Sequence, residues 1–144
     1  MRLVSFLVVV LMFISFDVLA RDDIGNYSLE ETMVLEPVKN KLGNDVQFFF
    51  GDQAYGKANK VMGEFSTNKK TNAFNKTDKE ACQWVFLSAM LALKARALKE
   101  GGNAVVGIKS NYKGNELSSN EHFQCGAGAI MAGVALKGTV VELK

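Results

Sequence analysis

Apolar residues are distributed along this chain in three ways. The first is a single run. Residues 3–16 are apolar apart from Ser5 and Ser15, with the basic start Met1-Arg2 before them and Val18-Leu19-Ala20 after them. A basic start, a short apolar segment and a small residue at the −1 position predict a Sec-type signal peptide over residues 1–20, cleaved after Ala20. The run is short for a hydrocarbon core of about 30 Å. The mature chain is therefore expected to begin at Arg21 and to have no membrane insertion after cleavage.

The second distribution is helical. Thr77-Asp-Lys-Glu80 is a capping box, with acidic residues suited to the positive end of a helix. Good helix formers run from there to Glu100, and Gly101-Gly102 stops them. The pattern predicts a helix over residues 78–100. Trp84, Leu87, Leu91, Ala95 and Leu98 fall on one stripe at helical spacing, and Val85, Phe86, Ala89 and Leu93 widen the apolar surface.

The third is the short, β-branched or aromatic stretch bounded by glycine or polar residues. Residues 45–50, 60–66, 103–109, 122–129 and 133–143 read as strands, with Val134, Leu136, Val140 and Leu143 as core candidates. Residues 68–77 read as a polar connector and 111–121 as a hairpin-like loop. Residues 21–44 read as an N-terminal arm with one short strand over 32–35 and the only proline, Pro37. The fold class expected is α+β: a small, mainly antiparallel sheet of four to five strands with one long helix (about 78–100) packed on it. It forms a single domain over residues 45–144.

Composition narrows the partners. The formal net charge is +2 and the basic residues are scattered, so nucleic acid is not expected. Lys69-Lys70 is the one basic doublet, read as part of a solvated turn. The chain has two cysteines, Cys82 and Cys125. An oxidising exported compartment favours a disulfide between them, with two free buried thiols as the alternative.

Candidate chemistry is sparse. Residues 51–57, GDQAYGK, match a phosphate-binding loop but for its hydroxyl. Ala58 stands where Ser or Thr would hold Mg²⁺, Asp52 adds a carboxylate inside the loop, and the residues after Lys57 read as a strand rather than a helix. Neither nucleotide nor any other cofactor is expected. A glycine-punctuated turn accounts for the match. His122 is the only histidine. With Glu121, Cys82 and Cys125 it could form a metal site only if the thiols stayed reduced. Asn26-Tyr-Ser and Asn75-Lys-Thr match the glycosylation sequon.

From Cys82 to the C-terminus, ACQWVFLSAMLALKARALKEGGNAVVGIKS followed by HFQCGAGAIMAGVALKGTVVEL resembles two related groups. One is the periplasmic domain of the Rcs phosphorelay's outer-membrane sensor lipoprotein (RcsF-like). The other is the YbjQ-type heavy-metal-binding family, whose GEVS-like strand VMGEFS is also similar. Short exported chains of this kind are sometimes labelled excinuclease ATPase subunits, a label that the loop residues do not support. Cys82 and Cys125 match one cysteine from each of the two bridges of the lipoprotein domain, so the resemblance does not itself imply their pairing. This chain lacks the lipid-bearing cysteine. The resemblance implies a periplasmic or secreted, non-enzymatic domain that binds an envelope protein partner in stress sensing, with heavy-metal or small-ligand binding as the alternative.

Overall fold

The structure, a computed structural model, describes residues 21–144, so the signal peptide read over 1–20 lies outside the described residues. The order of elements is β1 (Asp23–Ser28), α1 (Leu29–Met33), α2 (Glu36–Leu42), β2 (Gln47–Phe50), β3 (Ala58–Asn72), α3 (Asp78–Glu100), β4 (Ala104–Tyr112), β5 (Asn115–Leu117), β6 (His122–Ala127) and β7 (Met131–Leu143).

The long helix forms where its caps demand. The Thr77 hydroxyl accepts the Glu80 N–H at 3.1 Å, and Gly101 closes the C-terminus in the left-handed conformation at φ +78°. Ala81, Cys82, Val85, Phe86, Leu87, Ala89, Met90, Leu93 and Ala97 are buried, most of them on two adjacent rows of four-residue spacing, 81-85-89-93-97 and 82-86-90. The stripe from Trp84 to Leu98 lies only partly in the core: Leu87 is buried there and Leu91 packs against it, but the two ends are open. Trp84 is 41% and Leu98 50% exposed. Apolar residues cover more than half of this helix's circumference, so periodicity alone offered two stripes, and the sheet selected the one carrying the smaller alanines and Cys82.

The sheet has seven strands in the order β1-β6-β7-β4-β2, with β3 along the remaining side of β7 and β5 beyond β4. Pairing is antiparallel except between β2 and β4. The α+β class and the helix-on-sheet packing agree with the sequence; the strand count exceeds the expected four to five. β1 and β5 supply the excess. The strand expected over 32–35 is instead the end of α1 and the turn after it. Ser28 accepts the Glu31 N–H at 3.1 Å, a capping interaction that outweighs the β-branched and apolar character of the segment.

β3 runs through the polar stretch expected to be a connector. Asn68, Lys69 and Lys70 pair with Ala135, Val134 and Gly133 of β7. Ladder hydrogen bonds are indifferent to side-chain polarity, and an edge strand tolerates lysines that discourage further pairing.

Both faces of β7 are covered at one end, which explains the ambiguous phase of Val140-Val141. Val140 joins the main core under α3, whereas Val141 packs with Ala104 and Val106 on the opposite face. Val134 and Leu136 join the main core as expected, but Leu143 belongs to the smaller opposite cluster.

β4 bulges at Gly107, whose φ of +60° favours glycine, and the register with β7 shifts between Val106 and Lys109. This lets Val105 and Ile108 both enter the main core. Gly138 lies beneath them: a Cβ there would meet Val105 Cγ1 at 2.7 Å and Ile108 Cγ1 at 3.1 Å. Gly138→Val is expected to cost about 1–3 kcal/mol by overpacking, read from the urea midpoint at unchanged m-value. No shift in midpoint would show that the two side chains swing aside freely.

Candidate functional site

Cys82 and Cys125 are joined by a disulfide, with α-carbons 5.9 Å apart. It ties the first turns of α3 to β6, and both cysteines are fully buried. Such a bond is consistent with an oxidising, exported location. It also consumes the two thiolates that the metal reading required. Glu121 and His122 are solvent-exposed at the start of β6. Among the described residues, no group of three or more His, Cys, Asp and Glu is placed to hold a metal ion.

The loop that resembles a phosphate-binding site is a turn leading into a strand. The Gln53 N–H donates to the Phe50 carbonyl at 3.0 Å, the Phe50 N–H donates to Gln53 Oε1 at 2.7 Å, and Asn120 Nδ2 donates to Asp52 Oδ1 at 3.1 Å. β3 begins at Ala58, so no helix N-terminus faces Lys57. Asn26 is exposed on β1 and Asn75 in the turn before α3.

The structure brings together a group of residues that the sequence did not single out. Leu35 and Pro37 start α2, and Val38 and Leu42 are its buried face. Against α3 they leave an apolar groove of about 160 Å³, lined by Leu35, Pro37, Val38, Trp84 and Leu87, with Glu80 and Gln83 at its rim. Trp84 forms one wall, and Lys41 Nζ lies 5.6 Å from the centroid of its ring. Val34, 59% exposed, sits in the turn just before α2.

Two ion pairs link α3 to the segments on either side of α2. Lys79 on α3 pairs with Glu31 on α1. Lys94 Nζ meets Asp45 Oδ1 at 2.8 Å, fastening the chain after α2 onto α3. The hydrogen bond from Lys94 holds the Asp45 carboxyl below its usual range, so it stays ionised.

The stripe that carries Trp84 and Leu87 was legible from periodicity. The opposing wall was hidden because residues 29–42 read as an arm. The capping pattern Ser28-Leu-Glu-Glu31 and Pro37 at a helix start are the signals that would have revealed α1 and α2.

No family model matches this chain. No curated protein matches it either. Among solved structures, a crystal structure at 2.73 Å resolution of a protein of unknown function in the DUF74 family, from Pediococcus pentosaceus ATCC 25745, is similar. The TM-score is 0.48 at 15% identity, covering 69% of this chain and 98% of that one. A likeness at that level carries no functional argument.

Proposed function

We propose that this chain is an exported, non-catalytic domain that binds an envelope protein through the groove between α2 and α3. The observation that carries the reading is Trp84, a large side chain left 41% exposed beside a preformed apolar cleft. Tryptophans in such positions dominate the energetics of many protein interfaces. The cleft's size selects the occupant. Small-molecule sites span about 300–1,000 Å³. The roughly 160 Å³ here suits one or two apolar side chains of a partner protein. Glu80 and Lys41, of opposite charge, flank the cleft and suit a polar rim.

Residues 82–144, through their resemblance to the sensor lipoprotein domain, support a role in envelope stress sensing. The periplasmic or secreted location, after cleavage near Ala20, rests on the apolar run at residues 3–16 together with the disulfide.

A photo-crosslinking residue at Gln83, on the groove's rim, tests the proposal in cells. A specific envelope protein should be captured, and that partner, purified, should bind the intact chain in calorimetry. Trp84→Ala is expected to weaken binding by about 2 kcal/mol, roughly thirtyfold. Equal affinity for the two chains, or no adduct, overturns the reading.

A further inference from the structure

At the end of the molecule where β3 leads to α3 and β6 turns into β7, three large apolar side chains stand in solvent. Phe74 is 64% exposed, Ile130 66% and Met131 47%. They share one tip. The Ala73 N–H donates to the Ile130 carbonyl at 2.6 Å, and Asn72 is the register partner of Met131. The turn itself is well formed, since Asn72 Oδ1 accepts the Phe74 N–H at 2.8 Å. Single exposed apolar residues are ordinary, but a group at one tip marks a contact surface.

The surroundings of the tip are basic. Lys69, Lys70 and Lys76 lie on the last residues of β3 and the turn after it; among the described residues they enter no ion pair, and Lys76 Nζ donates one hydrogen bond, to the Asn72 carbonyl at 2.9 Å. Nearby acids are already engaged. Arg21 donates to both carboxylate oxygens of Asp78, at 3.1 and 2.9 Å, and to Asp23 at 3.0 Å. Lys113 pairs with Asp22, and the Tyr112 hydroxyl donates to Asp22 at 3.0 Å. Arg21 also donates to the Gly128 carbonyl at 2.9 Å, which fastens the first described residue to this same end.

An apolar centre with a lysine collar matches a bilayer's acyl boundary and its anionic headgroups. We propose that this tip rests on an anionic phospholipid surface, with Phe74, Ile130 and Met131 entering the interface and Lys69, Lys70 and Lys76 meeting lipid phosphates. It is a surface contact, not a span. The helix Asp78–Glu100 is long and apolar enough to cross a membrane, but its apolar face is spent on the sheet.

Co-sedimentation of the exported chain with vesicles tests the inference. Vesicles of phosphatidylglycerol mixed with phosphatidylcholine should retain it, and pure phosphatidylcholine should not. Retention should fall as salt rises. Phe74→Ser with Ile130→Ser is expected to lower the partition coefficient at least about tenfold. Lys69→Glu with Lys70→Glu should lower it by more than about tenfold, since each lysine near such a surface contributes about fivefold. Val61→Ser, at another exposed apolar position on β3, should change nothing. The proposal is overturned by an absence of retention on anionic vesicles, or by tip variants that bind as well as Val61→Ser. It is equally overturned if the tip drives only self-association, seen as concentration-dependent dimers that the tip variants abolish without any vesicle binding.

Discussion

The double variant Cys82→Ala with Cys125→Ala is expected to melt on the order of 10–15 °C below the intact chain. The bridge spans a sequence separation of 43 residues, and closing a loop of that length restricts the unfolded chain by roughly 4 kcal/mol in the chain-entropy model. A domain of this size loses about 3–4 °C per kcal/mol. Both cysteines are fully buried, which adds a second expectation. Reductant should act slowly on the folded protein, because the bond must first be exposed by opening. Thiol titration should therefore find almost no reactive cysteine under native conditions, and both after reduction in denaturant. A melting temperature lowered by less than about 3 °C would show that the bridge adds little to what packing already secures.

Phe86→Ala is expected to cost about 3–5 kcal/mol, the range for emptying a buried aromatic site. Phe86 is fully buried in the middle of a run of rings that crosses the core. Its centroid lies 4.2 Å from that of Phe123 and 6.1 Å from that of Phe50, and Phe123 lies 5.7 Å from Tyr27. One substitution therefore loosens contacts from α3 to β6, and onward to β1 and β2. Phe74→Ala, at an exposed ring, should stay within about 0.5 kcal/mol of the parent chain. Phe86 is one helical turn from Cys82, so the two losses share neighbours and should not simply add. Their combination approaches the whole stability of a typical domain, about 5–15 kcal/mol. The combined variant is expected not to fold, with urea titration and circular dichroism as the measurement. An intact cooperative transition in that variant would contradict this account of the core.

How much of this was legible beforehand depended on whether the determining interaction was local. The ends of α3 were, because a threonine three residues ahead of a glutamate and a pair of glycines act within one turn. The bodies of β2, β4, β6 and β7 were, because their β-branched and aromatic residues are buried on a sheet. β1 was not. Asp23-Ile-Gly-Asn-Tyr-Ser has little strand character, and it is held by partners on β6. The second half of β3 was lost for the same reason, and the Lys69-Lys70 doublet expected in a turn lies on that strand. The groove required α1 and α2 to be recognised as helices. The pairing of Cys82 with Cys125 followed from compartment and cysteine count, and the structure bears it out.

The pairing of β1 with β6 also governs when this fold can close. Asp23 finds Ala127, and Ser28 finds His122, so the first strand has no hydrogen-bonding partner until almost the entire chain exists. β2 likewise waits for β4. Topologies dominated by such distant pairings fold slowly, because the entropy of closing the loop is lost before the contact rewards it. A nascent chain of this kind remains open while it is being made, with α3 the only long element able to form from local contacts. The disulfide shares this delay: its second cysteine sits on that same late strand, so Cys82 waits for most of the chain before it can be bridged.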